Sequence, residues 1–167
     1  SDEPIITDDY LAERQLMPVT GCVVSYNRKI HNRADDSVIR VINKKISMIR
    51  RSRGFVPQPV DLSFNAEGIF AAGAEQKNTF CIGKDSQALP SQYIGDMKNV
   101  ATCDFFGETY RLFSELFRFV PSVVACDMHP EYFSGRFAET LSEQSAVTLV
   151  KVQHHHAHAV SVMAEHG

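Results

Sequence analysis

"GIFAAGAEQKNTFCIGKDSQALPSQYIG", residues 68–95, decides how the chain is to be read. Three short apolar runs, "GIFAAGAEQ", "NTFCIGK" and "ALPSQYIG", are joined by tight polar turns, which predicts three consecutive strands. Downstream the rhythm changes. In "CDFFGETYRLFSELFRF" the residues Phe105, Tyr110, Phe113, Leu116 and Phe117 recur mostly at threes and fours, the spacing of one helix face. Asp104 is the expected N-cap of this helix and Pro121 lies beyond its end. "SVVACDMHP" then predicts a buried strand, "EYFSGRFAETL" a second helix, "AVTLVKVQ" another buried strand, and the histidine run opens a third helix.

The expected order is therefore βββαβαβα. It is the order of the ribonuclease H-like subdomain of actin-like folds, an α/β architecture that binds nucleotide between two copies, of which this chain holds one. The last helix reaches Gly167 where a further strand or connector would be expected, so the sequence reads as a piece of something longer. Upstream, "GCVVSYNRKI" predicts a strand and "HNRA" a loop. "DDSVIRVINKKISMIRRSRG" predicts a hairpin turning at "NKK". "GFVPQPVDL" carries two prolines, which cannot donate to a ladder and which favour extended neighbours. A domain boundary is expected there, near residues 54–64.

Bulk properties exclude several function classes. With 167 residues, 44% hydrophobic and 22% charged, the chain has the make-up of an ordinary globular domain rather than a disordered or fibrous one. No run approaches the roughly 18 apolar residues of a membrane span. Ser1 opens an acidic stretch rather than a signal peptide, and the expected location is cytoplasmic. Residues 1–60 hold ten Lys/Arg against seven Asp/Glu, and residues 61–167 seven against thirteen. The first segment suits phosphate groups, but neither segment has the dense basic stripe of a duplex-binding surface. Cys22, Cys81, Cys103 and Cys126 show no paired spacing; Cys22, Cys81 and Cys126 lie in apolar strand-like runs and read as reduced core thiols.

Four segments carry candidate chemistry. In "VQHHHAHAVSVMAEHG" four of the seven histidines fall between His154 and His158. Residues four apart share a helix face, so His154 and His158 are placed to present two imidazoles to one metal ion, while His155 and His156 project elsewhere. Two ligands are too few, and a third group from a distant segment is required. An interrupting alanine and the amphipathic pattern behind it argue against a purification tag. The turn "QKNT" offers Lys77 to neutralise a phosphate, with Asn78 and Thr79 as donors, although the same residues also read as a plain hairpin turn.

His31, Arg33, Asp35, Asp36, Ser37, Arg50, Arg51 and Arg53 gather around the upstream hairpin. They read either as an anion site or as a surface ion-pair network of little energetic value. "CDMHPEYFSGR" sets Asp127, His129 and Glu131 at a strand end, with Asp127 placed to orient His129 as an acid or base. It equally suits a helix start with Pro130 at the first position and Glu131 favouring the dipole.

The segments "IHNRADDSVIRVINKKISMIRRSRGFVPQPVDL", "GAEQKNTFCI", "SQYIGDM", "CDMHPEYFSGRFA" and "VQHHHAHAVSVMAEHG" together resemble the HypF family, carbamoyltransferases of nickel-iron hydrogenase maturation, over essentially the whole chain. The family runs from an acylphosphatase domain through zinc fingers and a YrdC-like domain to a domain like the tRNA threonylcarbamoyl transferase TsaD. The resemblance implies that residues 1–56 end the YrdC-like domain, that 57–64 are a Pro-containing linker, and that 65–167 are the first half of the transferase domain. It implies further that carbamoyl phosphate is hydrolysed and that its carbamoyl group is activated with ATP and Mg2+ as carbamoyl-adenylate. The group is then passed to the C-terminal cysteine thiol of the partner HypE.

By the same resemblance His154 and His158 match a pair that holds a divalent metal, zinc or iron. Gln76, Lys77, Asn78 and Thr79 match a phosphate-side turn, and Arg33, Ser37, Arg51 and Arg53 fall on the nucleotide side of the YrdC-like domain. Lys77 and His129 are the candidate catalytic residues. Tyr93 stands where a histidine is more usual in the family's "SQHIGD", and "AHAVSVM" replaces a more common "AHIAACM". The aspartate ligands expected further on are absent from this chain, so by itself it is expected to be inactive. Two rival readings are an antibiotic-pathway O-carbamoyltransferase, in which the transferase domain would come first, and a module that binds metal or docks on HypE without chemistry.

Overall fold

A computed structural model describes residues 6–166; Ser1 and Gly167, the ends named above, lie outside the described residues. The three turn-separated runs form strands β4 (Ile69–Ala71), β5 (Cys81–Lys84) and β6 (Gln87–Pro90). After them come α2 (Val100–Phe117), β7 (Val123–Asp127), α3 (Phe133–Ser145), β8 (Thr148–Val152) and α4 (His154–His166). The expected order βββαβαβα is the order found. Ahead of it lie α1 (Asp9–Thr20), the hairpin of β1 (Val38–Ile42) and β2 (Lys45–Arg50), and a short β3 (Val60–Asp61). No helix among the described residues is long and apolar enough to cross a membrane.

The main sheet runs β3-β6-β5-β4-β7-β8. Its first four strands pair antiparallel, with a tight turn only between β5 and β6, whereas β4–β7 and β7–β8 are parallel. The parallel step from β7 to β8 needs a long crossover, and α3 supplies it. Parallel strands leave all their C-terminal ends on one side. Asp127 at the end of β7 and His154 just after β8 are therefore brought to the same edge.

Aromatic rings fill the space between sheet and helices. Phe70, Phe80 and Phe106 are fully buried, and their rings meet edge-on or tilted, as between Phe80 and Phe106 at 5.4 Å and between Phe70 and Tyr110 at 4.7 Å. Phe70 lies in β4, Phe80 just ahead of β5 and Phe106 in α2. The buried face of α2 carries Phe105, Phe106, Thr109 and Phe113, whereas Leu116, expected on that face, is 64% exposed. The β1–β2 turn puts Asn43 and Lys44 at φ 50° and 64°, the left-handed pair that a two-residue hairpin demands.

Several local expectations fail for identifiable reasons. Residues 21–30 form no strand: Val23 and Val24 find no ladder partner, and a lone strand leaves its amides unpaired. Instead the chain makes α1 before them, capped by the Asp8 carboxylate on Leu11 N–H and closed by Gly21 at φ 68°. Helix α2 starts four residues before Asp104, because Asn99 accepts the Ala101 N–H and takes the cap. Helix α3 starts at Phe133, so Pro130 lies ahead of it rather than in its first turn. Strand β8 is half exposed because it edges the sheet, and Cys22 is exposed because its run is no strand. Within the expected linker, Val60 and Asp61 pair with Ala88 and Gln87 and make β3 the opposite edge.

Candidate functional site

The histidine end is organised by one carboxylate. Asp127 terminates β7, and its side chain is only 9% exposed. One oxygen accepts the backbone N–H of His129 at 2.9 Å; the other lies 2.6 Å from His154 Nδ1. A carboxylate accepts only, so Nδ1 carries the proton and the His154 Nε2 lone pair points away from Asp127. One helical turn on, His158 Nε2 lies 3.1 Å from His154 Nε2, with the rings nearly perpendicular at 78°. The two imidazoles thus converge tip to tip.

Burial alone would push the Asp127 carboxyl up, but hydrogen bonds from the His154 ring and the His129 amide, with the nearby imidazole charges, hold it below its ordinary value. Asp127 therefore stays ionised and keeps its hold on His154.

The donor set suits a divalent metal. Two imidazole nitrogens bound tetrahedrally at about 2.0–2.1 Å sit roughly 3.3 Å apart, close to the separation found here. A carboxylate behind the first ligand is the usual outer partner of a metal-binding histidine. Among the described residues no group of three His, Cys, Asp or Glu is assembled around one point, so the pair by itself does not complete a ligand set. His155 turns aside to Gln153, whose side-chain oxygen also accepts the His155 N–H at 2.9 Å, and His156 is exposed.

The turn between β4 and β5 is shaped from outside. Its Lys77 N–H donates to Asp96 Oδ1 at 2.7 Å, Asn78 N–H donates to the Gly95 carbonyl at 2.8 Å, and Met97 N–H donates to the Glu75 carbonyl at 2.9 Å. Asn78 is 1% exposed, and its amide hydrogens go to the carbonyls of Ala72 and Ala74. Its side chain therefore holds the turn and has no donor left for a phosphate. Gly73, at φ 73°, sits where a Cβ would meet the Thr79 carbonyl at 2.4 Å, so only glycine permits this approach. Thr79 is half-buried at the end of the turn, and the Gln76 and Lys77 side chains are exposed.

The turn is tied to the histidine end as well. Tyr132, the N-cap of α3, makes no side-chain cap, and Glu75 supplies it from across the sheet by accepting Phe133 N–H at 2.8 Å. Ser134 Oγ donates to the Gly73 carbonyl at 3.0 Å. Glu75 and Asp96 carry no sequence signal of their own; their roles arise from contacts across 58 and 19 residues of chain.

Other candidates are placed differently from their sequence readings. Asp127 does not orient the His129 ring: it grips that residue's backbone, and the ring stacks on Tyr132 at 4.1 Å while Nδ1 accepts Glu131 N–H at 3.2 Å. The histidine that Asp127 orients is His154. Around the upstream hairpin the polar ends bond to nearby backbone. Ser37 Oγ donates to the Arg53 carbonyl at 2.8 Å and accepts Ser52 N–H at 2.9 Å. Arg51 donates to the Gln58 carbonyl, Arg53 to the Ala34 carbonyl and Arg33 to the Ala101 carbonyl, at 2.8, 3.1 and 3.0 Å. Among the thiols, burial pushes Cys81 up to about 12, which removes it as a nucleophile at neutral pH.

Comparison with known proteins bears on the same residues. Residues 64–165 match the family described as the HypF Kae1-like domain. The chain is 37% identical over 168 residues to carbamoyltransferase HypF2 of Cupriavidus necator, covering 99% of this chain and 21% of that protein. It is 40% identical over 163 residues to carbamoyltransferase HypF of Rhizobium leguminosarum bv. viciae, covering 98% and again 21%. A crystal structure of full-length HypF in a phosphate- and nucleotide-bound form superposes with a TM-score of 0.89 at 40% identity, covering 99% of this chain and 26% of that one. The chain thus spans about a fifth of the length of the curated relatives it matches.

Proposed function

Since the chain belongs to the HypF family through its Kae1-like domain, we propose that it is the part of a carbamoyltransferase at which an activated carbamoyl group is handed to a thiol. In this reading residues 1–56 close the adenylate-forming YrdC-like domain, 57–64 connect, and 65–167 are the first half of the transferase domain. ATP, Mg2+ and carbamoyl phosphate supply carbamoyl-adenylate, and the acceptor is the C-terminal cysteine of HypE. The acceptor thiolate attacks the carbamoyl carbon, a C–S bond forms, and the carbamoyl C–O bond breaks to release AMP.

The observation that carries this reading is the tip-to-tip pair: His154 and His158 Nε2 at 3.1 Å, with Asp127 fixed behind the first. Zinc or iron held there would polarise the phosphate and carbamoyl oxygens of the adenylate. The chain's own residues do the rest of the local work. Asp127 sets the His154 tautomer and ring angle, so that the His154 Nε2 lone pair is aimed before any ligand arrives. Lys77, exposed on its braced turn, places an ammonium to offset phosphate charge. His129, at the same sheet edge, is the candidate acid or base. No covalent enzyme nucleophile is required, in keeping with the inert Cys81.

The test uses the whole parent protein with Cys-terminated HypE. His154→Ala combined with His158→Ala is expected to abolish carbamoylation of HypE while ATP-dependent adenylate formation, read as pyrophosphate exchange, continues. Undiminished carbamoylation by the double variant would sink the assignment.

A further inference from the structure

Gln92, 2% exposed, lies just after β6 and donates from Nε2 to Asn32 Oδ1 at 2.7 Å, with the Arg33 carbonyl at 3.4 Å. Arg33 reaches the other way. Its guanidinium donates to the Ala101 carbonyl in the first turn of α2 and lies 3.9 Å from the centre of the Phe105 ring. Beside them Arg50 sits 4.7 Å from the centre of the Tyr93 ring while pairing with Asp35 at 2.9 Å, and Tyr93 N–H donates to the Arg51 carbonyl at 3.1 Å. These contacts are directional and join residues 31–51 to residues 92–105, so they fix orientation as well as proximity.

The same short segment also braces the phosphate-side turn. Three and four residues after Gln92, Gly95 and Asp96 receive the N–H groups of Asn78 and Lys77. The upstream hairpin and the β4–β5 turn are thus held by opposite ends of one stretch, residues 92–96.

We propose that Arg33 and Gln92 are positioning residues, a clasp that sets the upstream unit against the transferase unit so that carbamoyl activation stays coupled to transfer. The proposal rests on the carbamoyltransferase reading above. Neither residue touches Asp127, His154 or His158, so opening the clasp leaves the groups of the histidine end in place. What is lost is the fixed geometry between the units, and adenylate made in one is no longer used efficiently in the other.

In the whole parent protein, Arg33→Ala, Arg33→Lys and Gln92→Ala are compared with wild type by pyrophosphate exchange, by HypE carbamoylation and by amide hydrogen exchange. The expected result is a ratio of carbamoylation to pyrophosphate exchange down roughly tenfold in Arg33→Ala, the loss of a charged hydrogen bond. Arg33→Lys, which keeps the charge but not the planar fork, and Gln92→Ala move the same way by less. Residues 31–53 exchange faster in all three. A ratio equal to wild type despite faster exchange overturns the coupling role, and so does a fall of both reactions in step, which marks plain destabilisation. A wild-type parent that catalyses neither reaction instead overturns the carbamoyltransferase reading, whereas a working wild type with unaltered variants overturns the clasp alone.

Discussion

Two polar clusters in this chain look alike in sequence and differ in structure. The histidine end and the arginine hairpin both crowd ionisable residues into a short stretch beside an apolar strand. At the histidine end one carboxylate occupies the back of one ring, and two nitrogens converge with their outer faces available. Around the hairpin, Arg33, Ser37, Arg51 and Arg53 are committed to backbone carbonyls of their own neighbourhood or of α2. Residue type announces what a cluster could bind. Whether it is arranged to bind depends on which donors and acceptors the fold has already taken.

The largest effect that would break this contrast is at the histidines. In the whole parent protein, His154→Ala with His158→Ala should lower carbamoylation of HypE roughly a thousandfold, the scale of several kcal/mol of lost charge stabilisation. Its thermal unfolding should stay near wild type, because His158 is exposed and His154 only half-buried. A melting point that fell with activity would instead give the pair a structural role. Next, Asp127→Ala should weaken metal affinity about 10- to 100-fold, as removal of an outer-shell partner does, measured by competition with a chromogenic chelator. Equal affinity would mean that His154 needs no alignment.

The hairpin should respond the opposite way, through stability. Arg33→Ala removes a charged hydrogen bond and a ring contact and should cost about 2 kcal/mol in denaturant unfolding. Arg53→Ala should cost no more than about 0.5 kcal/mol, since its pairing with Asp36 is 70% and 82% exposed. A larger loss at Arg53 than at Arg33 would invert the account of which arginine holds the segment.

The smallest effect is on pH. The Asp127 carboxyl is held below its ordinary value, so its contribution is complete above the usual carboxylate range and is lost as pH falls through the lower folded value. Acid melts of Asp127→Asn should lack that part of the decline.

Much of this was legible in the sequence because the period of each element is local information. The helical spacing of Phe105 to Phe117 and the i, i+4 pair His154 and His158 follow from 3.6 residues per turn, and the alternation around "NKK" gave the hairpin. What was not legible depends on partners far along the chain. Residues 21–30 have the composition of a strand but no neighbour to pair with, and Val60 and Asp61 look like linker yet find β6. Glu75 capping α3 and Asp96 bracing Lys77 have no local mark. Asp127 was visible as an orienting carboxylate, but the nearest histidine in sequence, His129, is not the one it orients. The parallel pairing of β7 with β8 decides that, by bringing His154 across to it.

The most direct measurement of the central claim is the metal content of the whole parent protein after exhaustive dialysis, by elemental analysis, for wild type and for the His154→Ala, His158→Ala variant. The account predicts a retained divalent metal in wild type and its loss from the variant with folding intact. Equal metal in both, or none bound by a folded, active wild type, would contradict it.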